Sequence, residues 1–131
     1  MKIGDILGMN ERNLRYIRVY NKREDIRVVD DKLATKQLLR KTGIATPRVY
    51  GIIRRAKEVK VFDWNKLPIN FVVKPNRGFG GEGVMVLRAS KKKKDFLKSS
   101  VSKRIWLKTD GAEISFDSLK SHIYDIVDGK F

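Results

Sequence analysis

Four glycines, Gly78, Gly80, Gly81 and Gly83, fall within six positions between two short apolar runs. Phe71-Val-Val73 precedes them and Val84-Met-Val-Leu87 follows. Two strands joined by a short glycine loop make a hairpin, so this stretch commits the chain to antiparallel pairing. Glycine has no Cβ, so such a loop takes up positive φ and lets the backbone approach a ligand closely. Successive N–H groups in it can converge on phosphate oxygens. Lys74, at the end of the first strand, brings an ammonium to the same anion as a compact point charge.

Two common phosphate loops are excluded. No Gly-Lys-Ser/Thr follows the glycines, so this is not a Walker A loop. A Rossmann turn needs its glycines to open a helix, whereas Val84-Met-Val-Leu87 continues as a strand. A glycine hairpin between strands acts instead as a flap over phosphates. The competing reading is a flexible hairpin with no ligand. Four glycines beside a lysine on an apolar strand favour the phosphate.

The flanking segments read as helices and short strands. Leu7, Leu14 and Ile17 share one face of a helical period, so residues 5–20 are expected to be helical, with Gly8 as a weak point and Asn10 as a cap for a second helix. Asp30 or Asp31 caps a second segment with Ala34, Leu38 and Leu39 on its apolar side and Gly43 and Pro47 beyond it. Arg48 to Ile53 reads as a strand, followed by a basic irregular stretch leading to Trp64 and Pro68. Ile105-Trp-Leu107 reads as a further strand. Phe116, Leu119, Ile123, Ile126 and Val127 keep a helical period, with Ser115 as N-cap and Gly129 as terminator. Helices with a small antiparallel sheet make an α/β (α+β) chain.

Charge narrows the partners. The net charge is +15, from 30 Lys and Arg against 15 acids. Such a field favours polyanionic or phosphorylated partners. It is unevenly spread: Arg88 to Lys108 holds nine Lys and Arg against one acid, and Thr109 to Phe131 holds five acids and two lysines. The tract Lys91-Lys92-Lys93-Lys94 reads as a solvated loop, and Arg12, Arg15 and Arg18 as a wet helix face. The chain has no cysteine, which excludes disulfides and thiolate chemistry. No apolar run approaches the roughly 20 residues that span a bilayer, so no membrane partner is expected. The N-terminus does not read as a secretory signal, and the expected compartment is the cytoplasm.

Other constellations carry less. Ser118, His122 and Asp125 lie at helical spacing, but a triad needs an activated nucleophile beside an oxyanion hole, so they read as an exposed helix face. A structural zinc site is implausible with one histidine and no cysteine. Trp64 and Trp106 read as packing residues rather than base-stacking platforms.

A strand ending Val-Lys74-Pro75, a Gly78-x-Gly80-Gly81-x-Gly83 loop and another strand together resemble the ATP-grasp superfamily. Asp31-Lys32-Leu33-Ala-Thr-Lys36, with Gly43-Ile-Ala-Thr-Pro47, is similar to the lead-in of that fold. Leu7-Gly-Met-Asn-Glu-Arg-Asn13, Tyr16-Ile17 and Tyr20-Asn21 resemble the alpha-L-glutamate ligase-like, sugar-transfer-associated members. The resemblance covers nearly the whole chain.

The resemblance implies that Lys32 and Lys74 are the two ATP lysines and that Gly78, Gly80, Gly81 and Gly83 form the flap over the β- and γ-phosphates. Lys32, early in a helix, would meet a positive helix end that suits phosphate. The family phosphorylates a carboxylate and lets an amine attack the acylphosphate, by positioning and charge neutralisation with Mg²⁺. Its late Glu-x-Asn metal pattern is missing, because the last asparagine is Asn76. The chain thus reads as an N-terminal portion, an incomplete ATP-grasp fold with no catalytic or metal residues of its own, and inactive alone.

The expected organisation is a helical lead-in over 1–52 and a nucleotide-binding subdomain over 53–131. ATP is the expected cofactor, with Mg²⁺ held by residues outside the chain. A homo-oligomer is expected through uncovered apolar strands. Two other readings compete: a basic module that binds nucleic acid non-specifically, and an interaction fragment that docks to a C-terminal half.

Overall fold

The computed structural model describes residues 7–78 and 80–131, which divide into two compact units, Met1–Thr46 and Pro47–Phe131. In the first unit, helix α1 covers residues 9–20. Its two ends, Met9–Glu11 and Arg18–Tyr20, are α-helical and flank a π-helical segment, Arg12–Ile17. The Arg18 N–H reaches Asn13 O, the wider spacing of a π turn. Gly8 sits in extended conformation at the N-cap, and the helix runs on through Asn10, so no second helix is capped there. Asp5 lies outside the described residues.

Helix α2, Arg23–Asp30, was not legible in the sequence; Glu24 and Asp25 stand in its first turn, where a helix end favours acids. Helix α3, Lys32–Lys41, is capped by Asp31. The Thr35 hydroxyl donates to Val28 O at 2.7 Å, which ties α3 back to the end of α2. Gly43 ends α3 at φ 78°, while Gly43 N donates to Arg40 O and Ile44 N to Leu39 O. This is the Schellman pairing that a left-handed glycine permits.

The second unit contains a four-stranded antiparallel sheet in the order β1-β2-β3-β4. Its strands are β1, Phe71–Val73; β2, Met85–Ala89; β3, Ile105–Leu107; and β4, Glu113–Ser115. Phe71 pairs with Leu87 and Val73 with Met85; Trp106 pairs with Ala89 on one side and Ile114 on the other. Side chains alternate across a strand, and Leu87, Trp106 and Ile114 go to the core together with Phe71, Val73, Met85 and Ala89. Val72 and Val86, direct partners on the other face, stay exposed.

Helices α4, Ala56–Val61, α5, Lys93–Lys98, and α6, Phe116–Val127, complete the unit. Val59, Phe96, Leu119 and Ile123 are their buried residues. Leu119 is wholly inaccessible, and burying a leucine contributes about 1.5–3 kcal/mol. The Ser115 hydroxyl accepts from Ser118 N at the start of α6. At its end Gly129 takes φ 76°, and Lys130 N donates to Asp125 O. Trp106 is clasped edge-on by Phe71 and Phe96 at centroid distances of 5.9 and 5.3 Å. Trp64 packs edge-on against Phe116 in the same way.

Two further expectations fail. Arg48 to Ile53 forms no strand: among the described residues β1 pairs with β2 alone, and this segment takes up no ladder beside it. Ile53 instead packs on the core, and Gly51 leaves room for the Phe62 ring, whose Cε2 would sit 2.3 Å from an added Cβ. The lysine tract is not all loop, since α5 begins at Lys93 and turns Phe96 inward. Among the described residues no helix is long and apolar enough to cross a membrane.

Candidate functional site

The glycine loop joins β1 to β2, as the alternating apolar runs require. Lys74 is exposed and directly follows β1, and Pro75 behind it is buried. The short strand thus ends on a fixed proline while its lysine faces solvent. No described carboxylate forms an ion pair with Lys74.

Gly80, Gly81 and Gly83 stand at φ 63°, 83° and 69°, in the left-handed region where a Cβ is strained. Gly78 has φ 155°, and an added Cβ would lie 3.2 Å from Pro75 Cγ. At Gly80 and Gly81 an added Cβ would meet nothing within 4 Å. Neither glycine is bare to make room for the chain itself. Val84 N donates to Gly81 O at 3.1 Å and closes the turn into β2. Phe79 lies outside the described residues.

Gly83 differs from its neighbours. A Cβ there would meet Phe131 at 3.0 Å, and its carbonyl lies 3.0 Å from His122 Nε2. A carbonyl only accepts, so Nε2 carries the hydrogen. His122 is half-buried, and its ring lies 5.2 Å from that of Phe131. The reading of His122 as part of an exposed helix face is thereby corrected. No triad forms around it: Ser118 shares a hydrogen bond with Ser115, and Asp125 pairs with Lys130. The hydrogen bond that Lys130 donates to Asp125, with that carboxylate's charge, holds the ammonium pKa above its ordinary 10.5.

Lys32 belongs to the first unit. It is half-buried at the first position of α3. Asp31 Oδ1 already accepts from Leu33 N and Ala34 N, each at 3.0 Å. Those two amides are therefore satisfied by the chain's own carboxylate and do not form an open helix end. Lys74 and the four glycines come together in one hairpin; Lys32 lies in the other unit.

The match to known families agrees with this hairpin. A family model described as sugar-transfer associated ATP-grasp matches residues 11–131. The chain belongs to the sugar-transfer associated ATP-grasp family. No curated protein and no solved structure matches it. The matched span of this ATP-grasp chain contains the lysine, the glycine loop and the sheet on which they stand. The loop's backbone is open at Gly80 and Gly81, where an added Cβ would meet nothing within 4 Å. A metal fits less well: among the described residues no group of three His, Asp or Glu side chains could hold one. The glycine loop stands out in the sequence, but its anchor at His122 does not, since the partner lies 39 residues away.

Proposed function

We propose that the chain supplies the ATP-phosphate-binding part of a carboxylate–amine ligase of the alpha-L-glutamate ligase-like type. Lys74 and the backbone of Gly78, Gly80, Gly81 and Gly83 hold the β- and γ-phosphates. Lys32 is assigned as the other ATP lysine on family resemblance. The observation that carries the reading is the loop's backbone: left-handed glycines at 80, 81 and 83 in the loop that follows Lys74, with open space where a Cβ would stand at Gly80 and Gly81. Convergent N–H groups and one exposed ammonium neutralise phosphate charge without reorganising at the moment of reaction.

When bound, ATP supplies the phosphoryl group that activates a carboxylate. The residues of this chain orient the phosphates and balance their charge. With no carboxylate cluster among the described residues, Mg²⁺ enters with the nucleotide, and the isolated chain binds weakly without turnover. The proposed compartment is the cytoplasm. Titration calorimetry with Mg-ATP tests the assignment. Affinity near millimolar that disappears in Lys74→Ala is the expected result. Nanomolar binding, or binding indifferent to Lys74, overturns it.

A further inference from the structure

We infer that a cleft beside the β2–α5 turn is an oxyanion site, separate from the glycine loop, which takes one phosphate group. Its centre is Arg104, the buried charged residue of the second unit, only 8% exposed. Arg104 Nε donates to Ser99 O at 3.2 Å, and the Phe96 ring covers the guanidinium at 5.4 Å. No described carboxylate pairs with it. A buried cation without a counter-charge is costly and recruits an anion.

The remaining N–H groups of Arg104 point to where that anion sits. They make no hydrogen bond within the protein. Yet Trp106 Nε1 is the fully occluded side-chain polar atom without a partner among the described residues, and the Arg104 nitrogens are not. They therefore reach solvent, and Arg104 lines a small cleft with Ser90, Lys91, Ser99 and Lys103. Two lysines and an arginine line this space, and no acid does. The Ser99 hydroxyl is already committed to Asp95 O.

Three positive charges on one small cleft favour a dianion over a carboxylate, and a guanidinium fork matches phosphate oxygens bidentately. The cleft is small and partly open to solvent. An organic phosphate would leave its remainder in solvent. The site stands independently of the ATP reading, since it shares no residue with the glycine loop.

Amide NMR on the whole chain tests it. Sodium phosphate and sodium methyl phosphate are titrated separately, each against sodium chloride at matched ionic strength. Saturable shifts at Ser90, Lys91, Lys103 and Arg104 are expected. Lys91→Met with Lys103→Met, both at the rim and compatible with folding, should weaken affinity about tenfold or more, roughly one charge-assisted contact. Arg104→Lys should retain binding more weakly. Binding of both probes assigns an organic phosphate, and binding of inorganic phosphate alone assigns the free ion. Shifts that chloride reproduces, shifts confined to residues 78–84, or affinity unchanged in the double variant overturn the site. The loop amides report separately, so a failure of nucleotide binding there leaves this readout intact.

Discussion

His122 Nε2 donates to Gly83 O across 3.0 Å, so helix α6 holds the last glycine of the β1–β2 loop. The Phe131 ring stands over the same glycine and beside the same imidazole. Gly83 is thus fixed by its backbone angle, its hydrogen bond and its lack of space for a side chain.

Removing the donor leaves a part-buried carbonyl unmet. His122→Ala should lower stability by about 1 kcal/mol, the usual worth of one hydrogen bond. His122→Gln, which keeps an N–H at similar reach, should recover about half of that. Urea denaturation measures both. Equal losses in the two variants would mean that the ring's packing against Phe131, not its hydrogen bond, carries the effect.

The glycines should separate by environment. Gly80→Ala meets only the left-handed backbone penalty, about 1–2 kcal/mol. Gly83→Ala meets that penalty and the Phe131 ring, and should cost clearly more. Thermal melts give the order, and a smaller loss at Gly83 would contradict the anchoring described here.

Asp110 gives a pH signature at the β3–β4 turn. Its Oδ1 accepts from Ala112 N at 2.9 Å, and this bond, with lesser help from Lys108, holds its carboxyl pKa below 3.8. A depressed carboxyl contributes stability above its unfolded pKa, and that contribution fades as pH falls through the folded value. Carbon-detected NMR should therefore show Asp110 titrating below 3.8, with the turn loosening only under stronger acid. A titration at or above that value would show that the bond is not kept in solution.

The exposed pair Val72 and Val86, 52% and 44% accessible and in direct register, should draw copies of the chain together. The +15 charge opposes this at low salt. Salt screens that repulsion beyond about 8 Å at physiological strength but spares close apolar contact. Light scattering coupled to size exclusion should show association that grows with salt and fails in Val86→Lys. A monomer at both salt levels would dismiss the association.

Binding to DNA or RNA, where detected, should be electrostatic. Its log affinity should fall linearly with log salt, without sequence preference. Strong sequence preference at physiological salt would promote the nucleic-acid reading over the nucleotide one.

The glycine hairpin and helix α6 were legible because each is specified locally. One has apolar runs bounding glycines; the other has Ser115, a helical period and Gly129 within one stretch. Arg48 to Ile53 misled because Val49, Ile52 and Ile53 suit an extended chain whether or not a ladder partner exists. Strand β4 was invisible with Ile114 as its single buried residue, although Asp110-Gly111 before it is a hairpin signal. Helix α5 hid in a lysine run whose inward side is Phe96. Around the candidate site, the glycine hairpin and its lysine stand in local sequence, whereas the contacts of His122 and Arg104 do not. Their roles depend on residues brought to them by the fold.

Every strand of the sheet pairs with its neighbour in sequence. Sheets of that kind need only short loop closures, whose entropy is small, so they form readily and can assemble hairpin by hairpin as a ribosome releases the chain. The contact between His122 and Gly83 spans 39 residues and has to wait for α6 to be made and docked. The glycine loop can therefore close before its clasp exists, leaving an interval in which a nascent chain carries the loop without it.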